Sequence, residues 1–319
     1  MRRKAEYNVP AYRDPKDLRF VRVIRKSQRS APRAVNILGV PFDGAVLGRR
    51  GAADGPGAIR RALSFFSSYS PELGVDLAKA KVLDLGDVAL KTDEVRSAHV
   101  EIQKEVARGL ESEGLLLVLG GDNSVSLPAL RALASRFRKI GLVVVDSHFD
   151  LRGEIEGRPT SGSSYGLAIK TIRNLDPKRV VEVGIHGFLN SGKYAAEAKR
   201  LGLTVFTAAD VREWGGTRIA KRAYETASEG SDAVYVSIDL DAVDLAYVSG
   251  VSSPSSGGIS ANDLFDMAYY CGGRVAVRCA DLVELAPSLD PSGKSQIVAA
   301  TALVNLVAGF TSRVQNHGP

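Results

Sequence analysis

The 319-residue chain is 45% hydrophobic and 24% charged, a composition that excludes disordered and collagenous classes and suits a globular protein with a large core. Cys271 and Cys279 are too few for a disulfide framework and match no zinc spacing; no apolar run approaches the ~20 residues of a membrane span, and the start MRRKAEYNVP lacks the apolar stretch of a secretory signal. The net charge of +6 is concentrated in residues 1–33, where eleven Lys and Arg face three acids, so the basicity belongs to an arm and not to a nucleic-acid-binding body.

A cytoplasmic protein is therefore expected, with neither membrane nor nucleic acid as a partner. The arm reads as a solvated extension or a subunit contact. The two cysteines read as core residues.

Beyond the arm, short β-branched runs alternate with longer amphipathic stretches. Strands are predicted at 34–40 (AVNILGV) and 81–84, followed by a helix over 95–112 with Gly114 as its exit. A strand at 115–119 (LLLVL) leads to a helix over 124–137 and a strand at 141–145. Strands at 179–185 and 203–206 flank a helix over 192–201. A helix over 216–229, a strand at 233–238, a helix over 261–271, a strand at 274–279 and a helix over 294–309 complete the chain. Runs this continuously apolar are buried on both faces, which implies a parallel, doubly wound sheet of about eight strands. One α/β domain is expected over 34–312, between the arm at 1–33 and a loose tail at 313–319.

In such folds ligands bind beyond the carboxyl ends of the strands, and ligand-type residues recur there. GGDNS (120–124) follows LLLVL, and Asp146-Ser147-His148-Phe149-Asp150 follows GLVVV. Asp239-Leu240-Asp241, with Asp244 close behind, follows AVYVSI; Asp281 and Glu284 follow the 274–279 run. Alternate residues of an extended segment face one way, so Asp146, His148 and Asp150 can converge on one point, as can Asp239 and Asp241. Four carboxylates at close range raise one another's pKa unless a divalent cation intervenes. Oxygen-rich coordination with an imidazole suits manganese-type ions, which make a nucleophile of water at neutral pH. A lone D-x-D at a strand end is often just a turn or helix cap; two such patterns, each directly after a buried strand, are not readily coincidence.

These motifs resemble those of the ureohydrolases, the family of arginase, agmatinase and formimidoylglutamase. GGDNS, DSHFD (146–150), SIDLDAVD (237–244) and VELAP (283–287) stand in the family's order and spacing, preceded by GVPFDGAVLGRRGAADGPGAIR (39–60), which is similar to its glycine-rich stretch. The resemblance implies an arginase-like three-layer α/β/α sandwich, a Mn2+ site of one or two ions, and a homo-oligomer, trimer or hexamer. It also implies metal ligands at Asn123, Asp146, His148, Asp150, Asp239 and Asp241. Asp146 and Asp239 would be shared, His148 and Asp241 would complete one ion, and Asp150 and Asn123 the other. Asp150 would act on the attacking water as a catalytic group, and Glu284 would grip the planar cationic amidine or guanidine substrate.

Asn123 stands where the family usually has His, which implies a weaker first metal site, or an empty one. The loop RPTSGSSYG (158–166) lacks the family's second His; among His99, His148, His186 and His317, His186 is the candidate for the pocket rim, or else a buried capped histidine. DSHFDLR, TSGSSYG and the asparagine–serine pair in GIHGFLNSGKY are most similar to formimidoylglutamases, and Arg152 or Arg158 could clamp the two carboxylates of formimidoylglutamate, unless both serve in surface salt bridges. The expected reaction gives glutamate and formamide. An agmatinase or other guanidino-hydrolase releasing urea is the alternative, and a degenerate homologue serving as a binding or regulatory subunit is the reading of another class.

Overall fold

The computed structural model describes residues 6, 7, 14 and 16–316; residues 1–5, 8–13, 15 and 317–319, which include much of the basic arm and the end of the tail, lie outside the described residues. In chain order the strands are β1 (Ile24–Lys26), β2 (Val35–Gly39), β3 (Tyr69–Ser70), β4 (Val75–Asp76), β5 (Val82–Asp87), β6 (Leu115–Leu119), β7 (Ile140–Val145), β8 (Leu175–Ile185), β9 (Thr204–Thr207), β10 (Ala233–Asp239) and β11 (Val277–Val283). The helices are α1 (Gly55–Ala62), α2 (Val95–Gly109), α3 (Ser126–Ala134), α4 (Ser164–Thr171), α5 (Gly192–Leu201), α6 (Ala208–Trp214), α7 (Gly216–Ser228), α8 (Ala261–Gly272) and α9 (Lys294–Asn316).

Among the described residues nine strands form one sheet, ordered β1-β5-β2-β6-β11-β10-β7-β8-β9, with every pairing parallel. β3 and β4 make a separate antiparallel hairpin. Alternation along the strands divides the core in two. Leu115, Leu117 and Leu119 of β6, with Val234, Val236 and Ile238 of β10, pack towards α1, α7, α8 and α9. Leu116 and Val118, with Tyr235, pack towards α2, α3 and α4. Both faces are covered, which is why these strands read as unbroken apolar runs. The three layers are those expected.

The ninth strand is the difference. β1 comes from the arm and pairs with β5 at the sheet edge, while Phe20, Val21 and Val23 before it are buried. Tyr7 reaches the same region, its hydroxyl donating to Asp84. Asp84 also accepts from Arg60 of α1 (Nε to Oδ2, 2.8 Å; Nη2 to Oδ1, 3.0 Å), a bidentate pair inside the fold. The boundary expected at residue 33 thus does not coincide with the edge of the ordered sheet, and α9 carries the last domain helix through residue 316.

By length and composition α9 could cross a membrane, contrary to the impression of the sequence. It is instead a core helix: Ala299, Ala300, Ala302, Leu303, Leu306 and Val307 have no exposed surface. Both cysteines are buried and unpaired, as expected.

His99, on α2, is buried beside Phe42, with its Nε2 hydrogen-bonded to Ser124 Oγ at 3.1 Å. Burial draws its pKa down to about 4, whereas the unfolded chain protonates near 6.5. The unfolded state therefore binds more protons between these values. The stability contribution is present above pH 6.5 and is lost as the pH falls towards 4, by about 3 kcal/mol in all. Urea unfolding of the parent and of His99→Gln at pH 7 and pH 4 checks this: the parent should lose more stability than the variant across that interval.

Candidate metal centre

The four central strands deliver the ligand-type residues to one place. Ile238 of β10 is in register with Val145 of β7, and Asp239 with Val283 of β11. Asp146, Asp239 and Glu284 are therefore brought to neighbouring strand ends. The 120–124 loop joins them because Gly120 N–H donates to Leu282 O and Glu284 N–H to Gly121 O, both at 2.8 Å. Gly121 has no alternative: a Cβ there would fall 1.6 Å from Phe42 O.

Ligand atoms of Asp146, His148 and Asp241 lie within 4.8 Å of one another. His148 Nδ1 is 3.1 Å from Asp241 Oδ2 and 3.5 Å from Asp146 Oδ1. Asp241 N–H donates to Asp239 Oδ1 at 2.8 Å, and Ser147 Oγ donates to Asp241 Oδ1 at 2.7 Å. Asp150 and Glu284 hold left-handed backbone, φ 47° and 69°, unusual for side-chain-bearing residues and characteristic of sites that aim a functional group.

Electrostatics agree. Burial, then neighbouring carboxylates, push Asp146 and Asp239 well above the usual carboxylate range. Burial raises Asp150 to about 7. Glu284 is raised by burial and then by Asp122. Burial would lower His148, but hydrogen bonds to Asp146 and Asp241 prevail and lift it to about 12. Without added positive charge, this crowding of buried acids disfavours their ionised forms. Such a buried oxygen-rich set with one imidazole is what a hard divalent cation replaces protons in.

Asn123 is turned. Its Nδ2 donates to Asp146 Oδ2 (3.3 Å) and to Asp150, while its Oδ1 accepts from Tyr165 OH (2.9 Å). Glu284 Oε1 accepts Asn123 N–H at 2.7 Å, and its Oε2 is buried without a partner.

Asn123, His148, Asp150, Asp239, Asp241 and Glu284 line a cavity of about 280 Å³ together with Leu47, Arg152, Ser252 and Ser253. Arg152 is thus in the pocket. Arg158 is not: its side chain is 64% exposed and pairs with Glu156 at 3.8 Å. His186 is 9% exposed and is not among the residues that line the cavity. Its Nδ1–H donates to Gly184 O and its Nε2 accepts from Ser255 Oγ, both at 2.7 Å, so it steadies the loop after Asp244 rather than facing the cavity. Asp244 accepts from Ala246 and Gly257 N–H and shapes that same loop. Asp281 lies inside β11, not after it, and takes hydrogen bonds from Ser126, Ser237 and Tyr235.

Asn190 went unassigned in the sequence although its asparagine–serine pair stood out. Its Oδ1 accepts Phe149 N–H at 3.0 Å and its Nδ2 donates to Ser147 O at 2.8 Å, clamping the backbone on both sides of His148. Asn190→Ala should weaken Mn2+ binding about tenfold to a hundredfold, as loss of outer support does at metal sites; calorimetric titration measures it, and unchanged affinity would contradict the clamp. Tyr165 was hidden in a Gly/Ser-rich run. Leu47, Ser252 and Ser253 carried no signal, because only the fold brings their loops to the cavity.

A larger cavity, about 650 Å³, lies between the β3–β4 hairpin, α8 and α9; it gathers no comparable set of ionisable side chains.

The family model described as the arginase family matches residues 33–309. The formimidoylglutamase of Halobacterium salinarum is 35% identical over 308 residues, 94% of this chain and 97% of that protein. The crystal structure of formimidoylglutamase from Bacillus subtilis superposes with a TM-score of 0.89 at 26% identity, covering 95% of this chain and 94% of that one. That of Trypanosoma cruzi formiminoglutamase with Mn2+ gives 0.82 at 30% identity, covering 88% and 94%.

Proposed function

The chain belongs to the arginase family, and from that membership we propose that it hydrolyses N-formimidoyl-L-glutamate to L-glutamate and formamide. It is a hydrolase of C–N bonds in linear amidines. The observation that carries the choice of substrate is Arg152 in the same cavity as the acidic centre: acids meet an amidinium at the floor, and a guanidinium waits for a carboxylate nearer the mouth. Agmatine, cationic at both ends, meets a like charge there.

Asp146, His148, Asp150, Asp239 and Asp241 would hold one or two Mn2+ ions, the metal present in the T. cruzi relative. When bound, such ions supply positive charge that lowers the pKa of water and provides a nucleophile at neutral pH. Glu284 orients the substrate: its Oε1 is tied to Asn123 N–H, which leaves the unpartnered Oε2 to accept from the amidinium. Asp150, whose Oδ2 takes the Asn123 amide hydrogen, carries the proton released in the attack on Oδ1 and returns it to the departing nitrogen. The family resemblance supports a homo-oligomer in the cytoplasm.

Asn123 would ligate a cation only by turning its amide, which gives up the bond from Tyr165 and those to Asp146 and Asp150. One cation is then held more weakly than the other. Asn123→His should raise Mn2+ affinity at the weaker position about tenfold, since imidazole is the stronger donor to such ions. Titration of parent and variant tests it, and two equal affinities in the parent would count against it.

The function itself is tested by product analysis of Mn2+-loaded protein. Formamide from formimidoylglutamate is expected; urea from agmatine or arginine, with no formamide, would replace this reading by a guanidino-hydrolase.

A further inference from the structure

We propose that Arg152, Tyr194 and Lys193 form a subsite for the two carboxylates of the substrate's tail, Arg152 taking the inner one and Lys193 the outer. This rests on the amidine-hydrolase reading of the same pocket and adds to it which side chains select a dicarboxylate.

Arg152 is held, not free. Its N–H donates to Gly162 O at 3.1 Å, and its side chain lies across Gly162, where a Cβ would come within 3.0 Å of Arg152 Cδ and 3.1 Å of Nε. A glycine floor on one side leaves room for the arginine. On the other, its guanidinium sits 5.4 Å from the centroid of the Tyr194 ring, near enough for the ring face to attract the cation. Lys193 Nζ lies 6.0 Å from the same centroid. One aromatic ring therefore gathers two cations, of which Arg152 reaches the cavity lining.

Among the described residues neither cation has a carboxylate within ion-pair distance. Glu197, one turn beyond Lys193 on α5, is already gripped by Arg200 through two hydrogen bonds of 2.9 and 2.6 Å. Arg152 lines the cavity with Asp150, Asp239, Asp241 and Glu284, whereas Lys193 stands outside the lining, which sets inner against outer. The separation between tail subsite and reacting centre is fixed by Asn190, four residues before Tyr194, through its clamp on Ser147 and Phe149. Acids and cations together make a site for an amidinium joined to anions.

The test compares formimidoylglutamate with N-formimidoylglycine, which has a single carboxylate, in the parent, Lys193→Ala, Tyr194→Ala and Tyr194→Phe. Lys193→Ala should lose about ten times more kcat/KM towards the dicarboxylate than towards the monocarboxylate. Tyr194→Ala should raise KM for formimidoylglutamate about threefold to fivefold with kcat nearly constant, and Tyr194→Phe, which keeps the ring, should restore it. Equal losses on both substrates, or failure of Phe to rescue, would overturn the subsite. Titration of L-glutamate into the Mn2+-loaded protein separates this from the reaction itself: weaker binding in Lys193→Ala upholds the subsite even if turnover proves to be of another amidine, and unchanged binding removes it.

Discussion

Asp239→Asn should lower turnover roughly a thousandfold or more while leaving the metal-free protein at least as stable as the parent. Asp239 ends β10 beside Asp146 and is only 2% exposed. Burial first, then Asp241, Asp146 and Glu284, hold its pKa well above the usual value. A carboxyl whose folded pKa is raised contributes stability below its unfolded pKa, and that contribution is lost as the pH rises through the folded value. At neutral and alkaline pH the metal-free parent bears this burden. Asparagine does not ionise, and its oxygen can still accept Asp241 N–H, so the turn after β10 persists. The stabilising effect of the substitution should therefore grow with pH. Added Mn2+ should raise the Tm of the parent by mass action and move that of the variant far less. Thermal unfolding with and without Mn2+, set beside turnover, reads both effects. Parent-like turnover together with a parent-like Mn2+ shift would remove Asp239 from the centre.

The strands that build the site were legible because burial on both faces demands unbroken apolar sequence, as in Leu115–Leu119 and Ile140–Val145. The acids were legible because period-two spacing at a strand end is a local property. What escaped depends on partners distant in sequence. β1 reads Ile-Arg-Lys and has no apolar pattern; it is a strand because β5 offers it an edge and Phe20, Val21 and Val23 anchor the approach. Arg60 carried no signal in its glycine-rich stretch, and only the fold brings Asp84 and Asp87 to compensate its charge. The strand expected at 274–279 is β11 at Val277–Val283, with Asp281 inside it. Hydroxyls of Ser126, Ser237 and Tyr235 satisfy that carboxylate in mid-strand, and nothing local announces them. The orientation of the Asn123 amide follows from Tyr165 on one side and Asp146 on the other, again a matter of tertiary neighbours. Arg152 and Arg158 could not be ranked from sequence, since both flank the same loop; only the cavity separates them.

Glu284→Gln should reduce kcat/KM by about two to four kcal/mol of transition-state stabilisation, roughly thirtyfold to a thousandfold, with bound metal unchanged. Glu284 is 3% exposed and held in left-handed backbone at φ 69°, with one oxygen fixed by Asn123 N–H and the other buried without a partner. That geometry reserves Oε2 for a donor the protein itself does not supply, and an amidinium N–H is such a donor. Glutamine keeps the acceptor for Asn123 N–H but turns an NH2 towards the substrate. Donor then faces donor, and the negative charge opposite the amidinium is gone. Because the lost interaction is with the reacting group, both kcat and KM should suffer, in contrast to a tail residue, whose loss falls mainly on KM. Glu284 is not among the groups proposed to hold Mn2+, so metal content by elemental analysis should match the parent. The metal-free variant should also unfold at a higher temperature, since a buried carboxyl with a raised pKa has been replaced by a neutral amide. Steady-state kinetics, metal content and thermal unfolding of one preparation decide the matter: loss of metal along with activity would make Glu284 a ligand, and full activity would leave the amidinium held by some other group.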